Sequence, residues 1–84
     1  MENKKEKINK ILYRSSHRGT KEMDILLGNF VKKYINTLDD KELFDLNELL
    51  NCEDSILYNW YFNNVNNELI PVNKIAVMLK KFKL

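Results

Sequence analysis

The chain has 84 residues, of which 44% are hydrophobic and 31% are charged, and its formal net charge is +2. This length predicts one small domain over residues 1–84, and two glycines with one proline disfavour a hairpin-rich β fold. The longest apolar run has five residues, whereas a membrane-spanning helix needs about 20, so we expect no membrane partner. A single cysteine, Cys52, cannot form an internal disulfide, and no secretory segment is visible, which together predict a cytoplasmic protein.

Charge is distributed unevenly, with +5 over residues 1–21, −7 over residues 22–70 and +4 over residues 71–84. A domain that binds nucleic acid is usually basic over one whole face, which this pattern does not predict. Only Arg14 and Arg18 are arginines, the side chain best suited to bidentate phosphate recognition. We therefore expect no nucleic-acid partner, and keep a small helical nucleic-acid-binding regulator as an alternative function.

Apolar residues recur at helical spacing from the start of the chain. Ile8, Ile11 and Leu12 predict a first helix over about residues 4–15. A second helix is predicted over about residues 21–37, where glycine at position 28 costs about 1 kcal/mol relative to alanine and indicates close approach of another helix. The apolar stripe of this second helix comprises Met23, Leu26, Leu27, Phe30, Val31, Tyr34 and Leu38, broadened by Ile25 and Ile35.

Three further helices complete the prediction. Asp39 is expected to cap the third helix, with Glu42 completing a capping box. Asp54 is expected to cap a short fourth helix, and Pro71 fits the first turn of a fifth. Five short helices joined by short loops predict an all-α, single-domain bundle. The side chains expected to be buried in its core include Leu26, Leu27, Phe30, Leu46 and Leu57.

The sequence shows no recognisable set of catalytic or metal-binding groups. His17 and Cys52 are the only candidates for a nucleophilic pair, and they lie on different segments without a third group to orient them. One histidine and one cysteine give no ligand pair at zinc spacing. Glu22 and Asp24 point to different faces of a helix, and no glycine-rich phosphate-binding motif is present. We expect no enzymatic activity, no metal and no tightly bound cofactor.

The segment between the first two predicted helices is densely charged. In one interpretation Gly19 ends the first helix, the following acids satisfy the N-terminus of the second, and Arg18 is solvated. In the other, an exposed loop offers a guanidinium, bare backbone and two carboxylates to a protein partner. The residue pattern alone leaves both open. The candidate partner-binding residues are Arg14, His17, Arg18, Gly19, Glu22 and Asp24.

This segment resembles the RGxxE signature of the SdhE-type FAD assembly factors of succinate dehydrogenase. Arg18, Gly19, Glu22 and Asp24 match it, as does the LLGxF run that ends at Phe30. The resemblance covers about residues 8–62 and, more loosely, the last predicted helix. It implies a small helical protein that binds the flavoprotein subunit of succinate dehydrogenase, and in many members that of fumarate reductase.

The resemblance also implies how such a protein works. It promotes covalent attachment of FAD to a histidine of the flavoprotein subunit, called the client below, and its RGxxE surface meets that client. FAD belongs to the client, so no tight binding of FAD to this chain is expected. Because the covalent bond forms in the client, we expect this protein to select one client conformation. A generic protein-interaction adaptor is a further alternative.

Overall fold

The computed structural model describes residues 3–83, so residues 1, 2 and 84 of the predicted domain lie outside it. A short 3₁₀ turn, Ile35–Thr37, follows the second helix, and residues 3–83 contain no strand. The all-α prediction is therefore confirmed. The five helices are α1 Lys4–Ser16, α2 Lys21–Tyr34, α3 Asp40–Leu50, α4 Asp54–Phe62 and α5 Lys74–Lys81.

One hydrophobic core joins the helices. α1 packs against α2 and α3, and α3 also packs against α5. Burying each leucine or phenylalanine of the core contributes about 1.5–3 kcal/mol. In the apolar stripe predicted for the second helix, 45% of the Ile25 surface is exposed and Tyr34 is half-buried, whereas the other members are buried. The five side chains predicted to be buried are all 0% exposed, namely Leu26, Leu27, Phe30, Leu46 and Leu57.

The predicted capping box at the start of α3 is confirmed and also connects α3 to α5. Asp39 accepts a hydrogen bond from the Glu42 backbone N–H at 2.8 Å, and Glu42 accepts one from the Asp39 N–H at 3.0 Å. The Lys74 ammonium of α5 lies 2.9 Å from the other Glu42 oxygen. The Asp39 N–H and the Lys74 ammonium lower the pKa of Glu42. The Glu42 carboxylate therefore stays ionised to a lower pH than an isolated glutamate does.

α5 begins later than the sequence suggested. Asn73 is its N-cap, and the side-chain oxygen of Asn73 accepts a hydrogen bond from the Ala76 N–H at 2.8 Å. Pro71 therefore lies outside the helix, and the prediction that it occupies the first turn was wrong. Val72, the next residue, is 101% exposed and lies outside the core. The asparagine side chain, rather than the fixed backbone of proline, sets the start of this helix.

The close helix contact expected at Gly28 is absent. A Cβ atom built on Gly28 would meet nothing within 4 Å. Since glycine in a helix interior costs about 1 kcal/mol relative to alanine, we expect Gly28→Ala to raise the free energy of unfolding by about 0.5–1 kcal/mol. Urea denaturation followed by circular dichroism measures this change. A lower denaturation midpoint than that of the unsubstituted protein would contradict it.

Candidate partner-binding site

The α1–α2 junction, defined here as residues 14–24, is held against the α3–α4 turn by Arg18. Its Nε donates to Asp54 Oδ1 at 2.7 Å, and its Nη2 lies 2.7 Å from the same oxygen. The guanidinium also donates to the backbone carbonyls of Leu50 at 2.9 Å and Cys52 at 3.0 Å. The Arg18 side chain is only 10% exposed. Arg18 is thus neither solvated nor offered outward, which corrects both sequence-based expectations for its guanidinium.

The position of Gly19 is explained by Asp54. The Gly19 backbone N–H donates to Asp54 Oδ2, and a Cβ atom built on Gly19 would lie 2.9 Å from that oxygen. Neither glycine of the chain has a positive φ, so the backbone conformation does not demand glycine here. Nor does Gly19 cap the first helix, because the C-cap of α1 is His17. Glycine lets the Asp54 carboxylate lie against the backbone, where a Cβ atom would push it away from its present hydrogen bonds.

Asp54 was expected to cap α4, and the structure gives it another role. It is the first residue of α4, whereas Glu53 is the N-cap and makes no side-chain capping bond. Both carboxylate oxygens of Asp54 are occupied by Arg18 and Gly19. The anion lies at a helix N-terminus, where the helix dipole favours negative charge. Sequence reasoning missed this contact, since no local spacing reveals a partner 36 positions away.

Asp24 and Thr20 secure the other side of the junction. Asp24 Oδ1 accepts a hydrogen bond from the Arg18 backbone N–H. Thr20 caps α2 by accepting a hydrogen bond from the Met23 N–H at 3.3 Å. Asp24 is half-buried, and its carboxylate orders the loop from within the chain.

Arg14 and His17 extend the junction along α1. Arg14 donates to the side-chain oxygen of Asn47 at 2.6 Å and to that of Asn51, which attaches α1 to α3. The His17 ring stacks on Tyr13 with the ring centroids 3.8 Å apart, and its Nδ1 lies 2.8 Å from the Tyr13 carbonyl oxygen. Because a carbonyl only accepts, Nδ1 carries the proton there. In the neutral ring Nε2 is then an acceptor on an exposed side chain.

Glu22 differs from its neighbours in the junction. It is exposed in the first turn of α2, and within residues 3–83 its carboxylate makes no hydrogen bond or ion pair. The structure therefore divides the six candidate residues into two groups. Arg14, Arg18 and Asp24 use their side chains to order the junction, and Arg14 does so while exposed. Glu22, His17 and Gly19 are exposed on the junction as well.

Cys52 and His17 do not form a nucleophilic pair. The Cys52 thiol donates to the Leu69 carbonyl at 3.4 Å, while His17 is engaged with Tyr13. Residues 3–83 hold no group of three histidine, cysteine, aspartate or glutamate side chains arranged to bind a metal ion. In the same part of the chain, no helix combines the length and the apolar character needed to cross a bilayer.

Burial raises the pKa of the Cys52 thiol. Because the thiolate is the reactive form, we expect iodoacetamide to alkylate Cys52 several-fold more slowly at neutral pH than it alkylates an exposed peptide cysteine. The rate should rise with pH through a midpoint above that of the peptide. Intact-mass spectrometry over time measures both rates. Equal rates for protein and peptide would contradict the expectation.

Comparison of the chain's sequence with known proteins identifies its family. Residues 9–83 match the family model Sdh5, described as flavinator of succinate dehydrogenase. Succinate dehydrogenase assembly factor 2, mitochondrial, from Arabidopsis thaliana is 42% identical over 59 residues, which are 70% of this chain and 31% of that protein. The FAD assembly factor SdhE of Acetobacter pasteurianus is 35% identical over 72 residues, which are 86% of this chain and 63% of that protein.

A further relative comes from yeast. Succinate dehydrogenase assembly factor 2, mitochondrial, from Meyerozyma guilliermondii is 33% identical over 76 residues, which cover 86% of this chain and 56% of that protein. The chain thus spans less than two-thirds of the length of each of these curated relatives. Because the family match runs from residue 9 to residue 83 and so includes all of the junction, the chain belongs to the Sdh5 family, the flavinators of succinate dehydrogenase.

Proposed function

We propose that this protein is an assembly factor that binds the flavoprotein subunit of succinate dehydrogenase and promotes covalent attachment of FAD to it. The observation that carries the proposal is the family match over residues 9–83, which includes an ordered junction with an unpaired, exposed carboxylate at Glu22. The protein acts as a chaperone and not as a catalyst. The flavoprotein of fumarate reductase is proposed as a second client.

The order of the junction supports recognition of one client conformation. Arg18, Asp54 and Asp24 fix the backbone around Gly19 through hydrogen bonds within the chain, so little conformational entropy is lost when a partner binds. A rigid surface discriminates between client conformations better than a mobile one. Each tenfold enrichment of the conformation competent for flavinylation requires about 1.4 kcal/mol of preferential binding.

The FAD is proposed to remain with the client throughout. This chain has no glycine-rich motif for a dinucleotide phosphate, and the proposed action needs none. The lone thiol of Cys52 supports work in a reducing, cytoplasmic compartment. The nucleic-acid-binding alternative is less favoured, because Arg18, one of only two arginines, is mostly buried and directs its guanidinium donors to Asp54 and to the Leu50 carbonyl.

Reconstitution with the purified client tests the proposal. The flavoprotein subunit, free FAD and this protein are incubated together, and covalent flavin is read as fluorescence of the client band on a denaturing gel. We expect the protein to form a complex with the client and to increase covalent flavin several-fold. Equal flavinylation with and without the protein, together with no complex on gel filtration, would overturn the proposal.

A further inference from the structure

A groove of about 650 Å³ lies between α1 and α3, next to the junction. Ile11 and Leu43 are buried beneath it, while Tyr13 and Phe44 line it with 63% and 59% of their surfaces exposed. Large exposed aromatic side chains around a concave apolar surface are typical of a protein-binding site. This surface, called the α1–α3 groove, is not explained by the packing of the bundle.

The side chains that line the α1–α3 groove are positive on balance. α1 carries four lysines and one arginine against a single acid, Glu6, whereas α3 carries four acids against one lysine. Lys7, Lys10 and Arg14 line the groove itself, with Asp40 as the acid among its lining residues. A positive surface attracts acidic partners and repels basic ones. Charge complementarity therefore favours an occupant with carboxylates around an apolar side chain.

We propose that the α1–α3 groove binds an acidic segment of the flavoprotein client, with an apolar client side chain between Tyr13 and Phe44. This inference rests on the proposed function. The groove and the junction are continuous, because Arg14 belongs to both and His17 stacks on Tyr13. The client thus covers one surface that runs from Glu22 to Phe44. Client carboxylates lie against the exposed ammonium of Lys7.

Two other occupants fit the groove less well. A second copy of this chain that packed α1 against α1 would bring two positive helices together, which like-charge repulsion opposes. A single-stranded nucleic acid would need open aromatic faces for its bases. One face of Tyr13 is already covered by the His17 ring at a centroid distance of 3.8 Å.

The first test removes the aromatic anchor. Phe44→Ser is compared with Val77→Ser, a matched control on α5 at which 53% of the surface is exposed. We expect Phe44→Ser to weaken binding of the purified client about tenfold, as loss of an aromatic anchor does. Val77→Ser should change the affinity for the client by less than about twofold. Calorimetric titration gives the affinities, and equal thermal midpoints establish that both variants are folded.

The second test reverses a charge. Lys7→Glu on the groove is compared with Lys32→Glu, which makes the same change at an exposed position on α2. Lys7→Glu should weaken client binding several-fold at low salt, and the difference should shrink as salt screens the charges. Lys32→Glu should bind the client with unchanged affinity.

The outcomes separate the groove from the proposed function. If Phe44→Ser binds the client normally while Glu22→Ala does not, the groove is not the docking site and the proposed function stands. If the unsubstituted protein does not bind the client, the inference about the groove and the proposed function both fail. Sedimentation showing a dimer that Phe44→Ser dissociates, or oligonucleotide binding that Phe44→Ser abolishes, would assign the groove to a different occupant and overturn the inference.

Discussion

Covalent flavinylation of the client should fall about tenfold to a hundredfold when Glu22 is replaced by alanine, with an unchanged thermal midpoint. The Glu22 carboxylate is exposed and makes no hydrogen bond or ion pair within the described chain. Its removal therefore leaves nothing unpaired in the free protein, and surface changes of this kind alter stability by less than about 0.5 kcal/mol. Loss of a charged contact in a desolvated interface costs about 2 kcal/mol or more.

Flavin fluorescence of the client band measures the activity, and differential scanning fluorimetry measures the midpoint. Lys32→Ala is the control, because Lys32 is an exposed residue of the same helix. It should support normal flavinylation. A stable Glu22→Ala variant with full activity would show that Glu22 does not touch the client. Loss of activity only in proportion to unfolding would show that the residue is structural.

The second large effect is expected on stability. Asp54→Ala should lower the free energy of unfolding by about 2–3 kcal/mol, because it leaves the Arg18 guanidinium without its counter-ion in a mostly buried position. The Arg18 side chain is 10% exposed and the Asp54 side chain is 20% exposed. The expected loss of stability is therefore smaller than for a fully buried ion pair. In a domain of this size the corresponding fall in thermal midpoint is about 10–20 °C.

Lys41→Ala provides the matched control for Asp54→Ala. Lys41 and Asp45 form an ion pair at 3.0 Å on α3, in which the lysine side chain is 78% exposed and the aspartate side chain is 12% exposed. Because the lysine lies in water, we expect Lys41→Ala to lower the free energy of unfolding by about 0.5–1 kcal/mol, less than Asp54→Ala does. In the Arg18→Ala/Asp54→Ala double variant, the free energy of unfolding should fall by about 1–3 kcal/mol less than the sum of the falls in the two single variants. Equal falls for Asp54→Ala and Lys41→Ala would refute a stabilising role of the Arg18–Asp54 pair.

The helices could be predicted because their determinants are local. The apolar steps of α2 and the Asp39–Glu42 capping box depend on residues three or four positions apart, and both were confirmed. The start of α5 was predicted wrongly from Pro71. Asn73 sets it instead, because its side chain supplies a hydrogen-bond acceptor for the free backbone N–H groups, which proline lacks.

The candidate site was only partly predictable, because its geometry depends on distant pairs. The charged junction was recognisable from residues 14–24, and the family it indicated is confirmed. The inward direction of Arg18 was not recognisable, since it is set by Asp54 and by two carbonyl groups at the end of α3. The client-contacting roles of the six candidate residues stay a prediction that the Glu22 experiment addresses.

The contact of Asp54 with both Arg18 and Gly19 also restricts how this sequence can diverge. A Cβ atom at position 19 would lie 2.9 Å from Asp54 Oδ2, so a side chain there would push the carboxylate away from its hydrogen bonds with Arg18 and the Gly19 N–H. Loss of the Asp54 carboxylate would in turn leave the mostly buried Arg18 guanidinium without a counter-ion. Positions 18, 19 and 54 are therefore expected to change together or not at all among relatives. An acid at position 54 then becomes a diagnostic companion of the Arg-Gly pair, although it lies far outside the RGxxE signature.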